Sequence, residues 1–96
     1  MLIIAGFVHV DAERRDEYVA SFRDMVERGR SAPGCLDIFI STDSLEPTRV
    51  NIFERWASRE DLDAWRKQAN PPDTDIEMTG NQVTIFTATD ERSPFD

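Results

Sequence analysis

Between Asn51 and Trp65 the chain changes period without a break, and this change constrains the fold more than any other stretch. Ile52, Glu54 and Trp56 alternate with Asn51, Phe53 and Arg55, the two-residue period of a strand whose sides differ. Leu62, Trp65 and Ala69 then recur at helical steps. Ser58 with Asp61 three residues on has the form of a capping box: the hydroxyl accepts from an orphan backbone N–H, and the carboxylate suits the positive helix terminus. Both tryptophans of the chain lie here, one ending the strand and one on the helix. They are expected to wall one cavity, because the chain barely advances between them.

The same periodicities place the other elements. Leu2 to Val10 reads as a first strand with two mostly apolar rows, so it is expected to be covered on both faces. From Ala12 to Arg30 the apolar residues Tyr18, Phe22, Met25, Val26 and Gly29 fall at steps of three and four, an amphipathic helix with a charged outer side. Asp11 is placed to cap it, and Ala32-Pro33-Gly34 stops it. Cys35 to Thr42 reads as a second strand with Leu36, Ile38 and Ile40 on one face and Phe39 on the other. Ser41 to Thr48 is a polar turn into the third strand, Arg49 to Trp56. The second helix runs from Arg59 to about Ala69, ended by Asn70-Pro71-Pro72, and Gln82 to Thr89 is a β-branched fourth strand. The tail, residues 90–96, carries few anchors, although Phe95 is placed to pack on a neighbour.

The order β-α-β-β-α-β predicts an α+β, ferredoxin-like fold over a single domain, residues 1–96: an antiparallel four-stranded sheet with both helices on one face. The uncovered face of the sheet then needs a partner, and a second copy of the chain is the simplest one.

Charge and cysteine content narrow the function classes. A formal net charge of -8, with acidic residues spread along the chain, argues against nucleic acid and against an anionic membrane surface. No apolar run approaches the ~20 residues of a spanning helix. The single cysteine, Cys35, permits no internal disulfide and fits a reducing compartment, and the residues from Met1 to Ala5 carry no basic leader, so a cytoplasmic protein is expected. Asp73, Asp75 and Glu77 lack the glycine and terminal glutamate of a calcium loop and read as a solvated acidic segment. No cluster suits zinc, no glycine loop suits phosphate, and there is no serine elbow.

Three motifs carry a family resemblance: Ala32-Pro33-Gly34-Cys35 after the first helix, Glu54-Arg55-Trp56-Ala57-Ser58 entering the second, and Glu60-Asp61-Leu62-Asp63-Ala64-Trp65 beyond it. In this order the chain resembles the antibiotic biosynthesis monooxygenase family, small dimeric α/β-barrel proteins. The resemblance implies a homodimer with an apolar pocket between each sheet and its own helices. It implies oxidation of a small aromatic, polyketide-like or hydroquinone substrate by molecular oxygen, with no metal or flavin. In that chemistry the substrate loses a proton and passes an electron to oxygen, while the protein promotes ionisation and excludes water. Trp56 matches the strand-ending Trp whose N–H helps to hold substrate in the polyketide-oxidising branch. That branch's Asn and Tyr are here Ile52 and Leu62. Trp65 matches the helix Trp that presses on porphyrin in a haem-degrading branch, but the positions of its iron-binding His and pocket Asn hold Asp75 and Phe7.

His9 is the one side chain whose unperturbed pKa lies near neutrality, which makes it the candidate base for a weakly acidic phenol. Asn51 is a candidate donor to a substrate carbonyl or oxyanion, and Trp56 a pocket donor. Tyr18, Phe22, Trp56 and Trp65 are the expected substrate-binding walls. Glu54 and Arg55 are expected to form ion pairs, and Cys35 to be buried and inert. A binding protein without catalysis, and a non-oxidative cyclase or isomerase, would use the same pocket.

Overall fold

Strands β1 (Leu2–His9), β2 (Cys35–Thr42), β3 (Arg49–Trp56) and β4 (Gly80–Thr87) form one sheet in the order β2-β3-β1-β4, with every neighbouring pair antiparallel. The structure is a computed structural model and describes residues 1–95. Three helical segments, α1 (Arg15–Ser21), α2 (Arg23–Arg30) and α3 (Arg59–Gln68), pack on one side of the sheet, giving the expected α+β ferredoxin-like architecture.

Register explains the burial. Leu2 pairs with Trp56, Ile4 with Glu54 and Val8 with Val50, so one row of each central strand faces the helices. That row holds the buried Leu2, Ile4, Val8, Val50 and Trp56. Toward one end, Leu2, Ile4, Trp56, Leu62 and Trp65 form one apolar cluster; toward the other, Val8, Val10, Tyr18, Val50 and Ile76 form a second. Val83 packs against both. The other side of the sheet has no helix over it. Phe39 and Phe53 stack there at 5.3 Å, and Phe86 is 52% exposed.

The first helix is broken where the sequence predicts continuity. The Ser21 hydroxyl donates to the Tyr18 carbonyl at 2.6 Å, and Phe22 N–H bonds to Val19 rather than to the carbonyl four residues back. This tightens one turn at Phe22 and separates α1 from α2. Asp11 caps the preceding 3₁₀ turn, Ala12–Arg14, by accepting from Glu13 N–H.

The second strand corrects the sequence reading at one residue. Cys35 pairs with Trp56 but Asp37 pairs with Arg55, so Leu36 is an extra residue in a bulge. One added residue reverses the side of everything before it. Leu36 therefore leaves the row of Ile38 and Ile40 and is 47% exposed, while Cys35 turns toward the helices. The fourth strand begins two residues earlier than expected, at Gly80. Phe95 is 94% exposed and is not buried against any of the described residues.

Gly34 closes the turn into β2 with φ +79, a left-handed conformation that side chains disfavour. A Cβ there would overlap the Asp61 carboxylate, and the Gly34 carbonyl accepts from Ala57 N–H at 2.8 Å. The turn is thus bonded to the start of α3. No helix among the described residues is long and apolar enough to cross a membrane.

Candidate functional site

The strand-to-helix junction sets the two tryptophans against each other. Ser58 Oγ accepts from Asp61 N–H at 3.1 Å and donates to the Asp61 carboxylate at 2.9 Å, which starts α3 three residues after Trp56. The carboxylate bonds the hydroxyl rather than the Ser58 N–H that a full capping box would use. Leu62 and Trp65, three residues apart, then face the sheet. Trp65 stacks on Trp56 with ring centroids 6.1 Å apart and planes 25° from parallel. Helix α2 closes over them because Gly29 has no side chain: a Cβ there would lie 3.2 Å from both Ile38 and Trp65.

Trp56 is 0% exposed, so no space as large as a water molecule touches it. Its indole N–H donates to Glu54 Oε1 at 3.0 Å. Trp65, 5% exposed, reaches a surface groove of about 500 Å³ that also touches Arg28, Pro33 and Gln68. The Arg28 guanidinium lies 5.7 Å from the Trp65 ring centroid.

Glu54 occupies a position where the row is otherwise apolar. Its cross-strand neighbours are Ile4 on β1 and Ile38 on β2, both buried. Glu54 itself stays partly exposed, although β3 is an interior strand. It is the one carboxylate in the helix-facing row of the sheet among the described residues. Burial pushes the Cys35 thiol up, and the negative Glu54 and Asp37 add to the shift, so Cys35 is held as a neutral thiol.

Tyr18 and Phe22 make a tilted aromatic pair 5.1 Å apart at the other end of the helix-covered side, packed with Val8, Val50 and Ile76. Burial raises the Tyr18 hydroxyl pKa. The single cavity expected from sequence is therefore two packed apolar clusters joined through Val83, with the tryptophans in one and Tyr18 and Phe22 in the other.

His9 and Asn51 lie across the sheet from this side, where a regular strand places Asn51 relative to Trp56, so the three candidate residues His9, Asn51 and Trp56 are not brought together. From Arg49 to Trp56, β3 pairs with β1 one residue to one without a bulge, so Asn51 and Trp56, five apart, point to opposite sides. His9 shares the outer row with Phe7: the rings meet edge to face at 5.5 Å. His9 Nδ1 bonds Thr48 Oγ1 at 2.8 Å, and Nε2 is 4.0 Å from Glu46. Asn51 accepts from Arg49 Nε at 2.7 Å and donates to Asp43 Oδ1 at 2.8 Å. Asp43, which also accepts from Glu46 and Leu45 N–H, is held down to about 2, chiefly by the Asn51 amide. Arg49 in turn lies 3.7 Å over the Phe7 ring.

Arg55 pairs with Glu91 at 3.4 Å, whereas Glu54 bonds Trp56 and makes no ion pair among the described residues. Asp75 in the acidic loop pairs with Arg14 at 2.8 Å, which lowers its pKa. Glu54 is the residue that sequence reasoning set aside. Its signal was present as the charged member of the otherwise apolar Ile52, Glu54, Trp56 row.

Comparison with known proteins places the chain. Residues 1–70 match the family model described as antibiotic biosynthesis monooxygenase. An uncharacterised protein of Synechocystis is 31% identical over 62 residues, covering 65% of this chain and 42% of that protein, so the match spans about two-fifths of the relative's length. Among solved structures, a candidate antibiotic biosynthesis monooxygenase from Nitrosomonas europaea superposes with a TM-score of 0.73 at 17% identity, covering 92% of this chain and 98% of its own. A second candidate of that name from Caulobacter crescentus gives 0.71 at 19% identity, with coverage of 93% and 90%. A conserved protein of unknown function from Bacteroides thetaiotaomicron, described as a possible oxidoreductase, gives 0.71 at 19% identity, with coverage of 88% and 94%. At these identities the structures share the fold.

Proposed function

This chain belongs to the antibiotic biosynthesis monooxygenase family, and from that membership we propose that it is a cofactor-independent monooxygenase oxidising a small aromatic, polyketide-like or hydroquinone substrate with molecular oxygen. The observation that carries the reading is the helix-covered side of the sheet. Tyr18 and Phe22 stand at one end of it, Trp56 and Trp65 at the other, and the carboxylate of Glu54 is the accessible polar group between buried isoleucines. Aromatic walls of this kind suit a flat, electron-rich ring, and a dry, apolar layer protects a radical pair from water. His9 and Asn51, on the far side, are left out of this pocket.

The far side is proposed to be covered by a second copy of the chain. Phe39, Phe53 and Phe86 leave an apolar patch on the helix-free side, and sheet packing on sheet buries it.

A non-catalytic binding role is the second reading. It is favoured by Leu62, which is completely buried where the polyketide-oxidising branch has a Tyr, and by Ile52 where that branch has an Asn. Neither can donate a hydrogen bond to a substrate oxygen.

Oxygen uptake separates the readings. Purified, metal-stripped protein is assayed against anthrones and hydroquinones, with heat-denatured protein correcting for spontaneous oxidation. Saturable uptake above that background is expected. Ligand-dependent quenching of Trp fluorescence without uptake would replace the oxygenase with a binding protein, and conversion under argon would replace it with a cyclase or isomerase.

A further inference from the structure

Ionisation of a phenol or an anthrone needs a proton acceptor on the substrate's side of the sheet. His9 is on the other side. On the helix-facing row the ionisable side chains are Cys35, a neutral thiol, and Glu54. Glu54 is the more accessible member of its surroundings: Ile4, Ile38 and Trp56 are buried around it, while it keeps a partly open surface. Its Oε1 is occupied by the Trp56 N–H at 3.0 Å, and Oε2 carries no hydrogen bond among the described residues. A carboxylate held by one oxygen, with the other free beside apolar neighbours, has the form of a general base.

Resting on the oxygenase reading above, we propose that Glu54 is the catalytic proton acceptor of this protein and that Trp56 is a positioning residue that fixes it, instead of a direct donor to the substrate. This assignment accounts for the complete enclosure of Trp56, which needs to touch only Glu54.

The steps balance for an anthrone. Oε2 takes a proton from the CH₂ carbon, leaving the electron pair as the enolate. One electron passes to molecular oxygen, and the resulting substrate radical and superoxide combine to form the C–O bond of a peroxide anion. Glu54 returns its proton to the distal oxygen. It then takes the remaining proton from the same carbon as the O–O bond breaks, and delivers it to the departing hydroxide. The products are the ketone and one water, and Glu54 ends as it began. The apolar neighbours keep competing water from the enolate and from the radical pair.

The test uses Glu54→Gln, whose amide oxygen still accepts from the Trp56 N–H but cannot take up a proton. A merely structural role is thereby preserved. A hydroxyanthrone is incubated with the protein in D₂O under argon at neutral pH, and loss of its CH₂ proton signal is read by NMR against the exchange without protein. The wild type is expected to accelerate the exchange and E54Q to leave it near the protein-free rate. In air, kcat for oxygen uptake is expected to fall about 10²-fold or more in E54Q, with KM little changed. Equal exchange rates in the two proteins, or no acceleration by the wild type, overturn the assignment. Accelerated exchange without oxygen uptake removes the oxygenase reading and leaves Glu54 as a base. Uptake unchanged in E54Q does the reverse. If E54Q loses its cooperative melt, Glu54→Asp is read instead: it keeps the ionisable group one methylene further back, so retained acceleration with reduced kcat supports the assignment, and an unchanged kcat overturns it.

Discussion

The indole N–H of Trp56 donates to Oε1 of Glu54 at 3.0 Å, two residues back along the same side of one strand. Adjacent same-side positions on a strand rarely hold a large aromatic and a carboxylate together in a core. Here the carboxylate satisfies the indole: the fully buried N–H would otherwise lack an acceptor, while Glu54 keeps a partly open surface.

Trp56→Phe removes the donor and leaves a small void. The unpaired acceptor and the lost packing together are expected to cost about 2–4 kcal/mol. Urea unfolding measures this. In a cycle with Glu54→Ala, which removes the acceptor, a coupling energy near zero would show that the hydrogen bond contributes nothing to the fold.

Gly34→Ala forces a side chain into a left-handed conformation and against the Asp61 carboxylate. A loss of about 1–3 kcal/mol is expected. For a domain of this size each kcal/mol lowers the melting temperature by about 4–8 °C, so thermal denaturation resolves it. An unchanged melting temperature would mean that the turn and the start of α3 are not coupled.

Asp43 gives the fold an acid-sensitive element. Its carboxyl is held down to about 2 by Asn51 and by the Glu46 and Leu45 N–H groups, whereas an unfolded Asp titrates near 3.9. A depressed folded-state pKa stabilises the protein above the unfolded value, and that contribution is lost as pH falls from about 4 through about 2. Asp43→Asn is therefore expected to be less stable than the wild type at neutral pH, with the gap closing across that window. Urea midpoints measured along a pH series check the sign; a gap that widens on acidification would refute it.

The helix-free face predicts association. Light scattering at micromolar concentration is expected to give twice the chain mass. Phe86→Asp, which places a charge on a residue 52% exposed in the single chain, is expected to give a folded protein of one chain mass. A wild type of one chain mass would leave the phenylalanine patch without its proposed cover.

Much of the architecture follows from local pattern. The two-residue and 3.6-residue periods, the Ser58 cap and the Pro33 and Pro71 stops place the four strands and α3 within a few residues and the outer bounds of the first helical region, though not its break at Phe22, because these signals act over neighbours in the chain. The strand containing Ile52, Glu54 and Trp56 is legible in the same way. So was the anomaly of a carboxylate in that row.

What the tertiary structure decided is which side each row faces and which polar groups meet. Side-chain direction alternates at every residue, so a single extra residue moves a strand's row from core to surface. The bulge at Leu36 falls in β2, where Cys35 is thereby turned toward the helices, and not in β3, where it would have brought Asn51 to Trp56. Likewise His9 is singled out by its chemistry in the sequence but placed across the sheet by the register of β1 with β3 and β4. The sequence by itself determined the elements and set Trp56 and Trp65 close together. Only the packing of helices over one row determined that Trp56 is sealed and that Glu54 is its partner, because bulge position and helix approach depend on contacts between residues far apart in the chain.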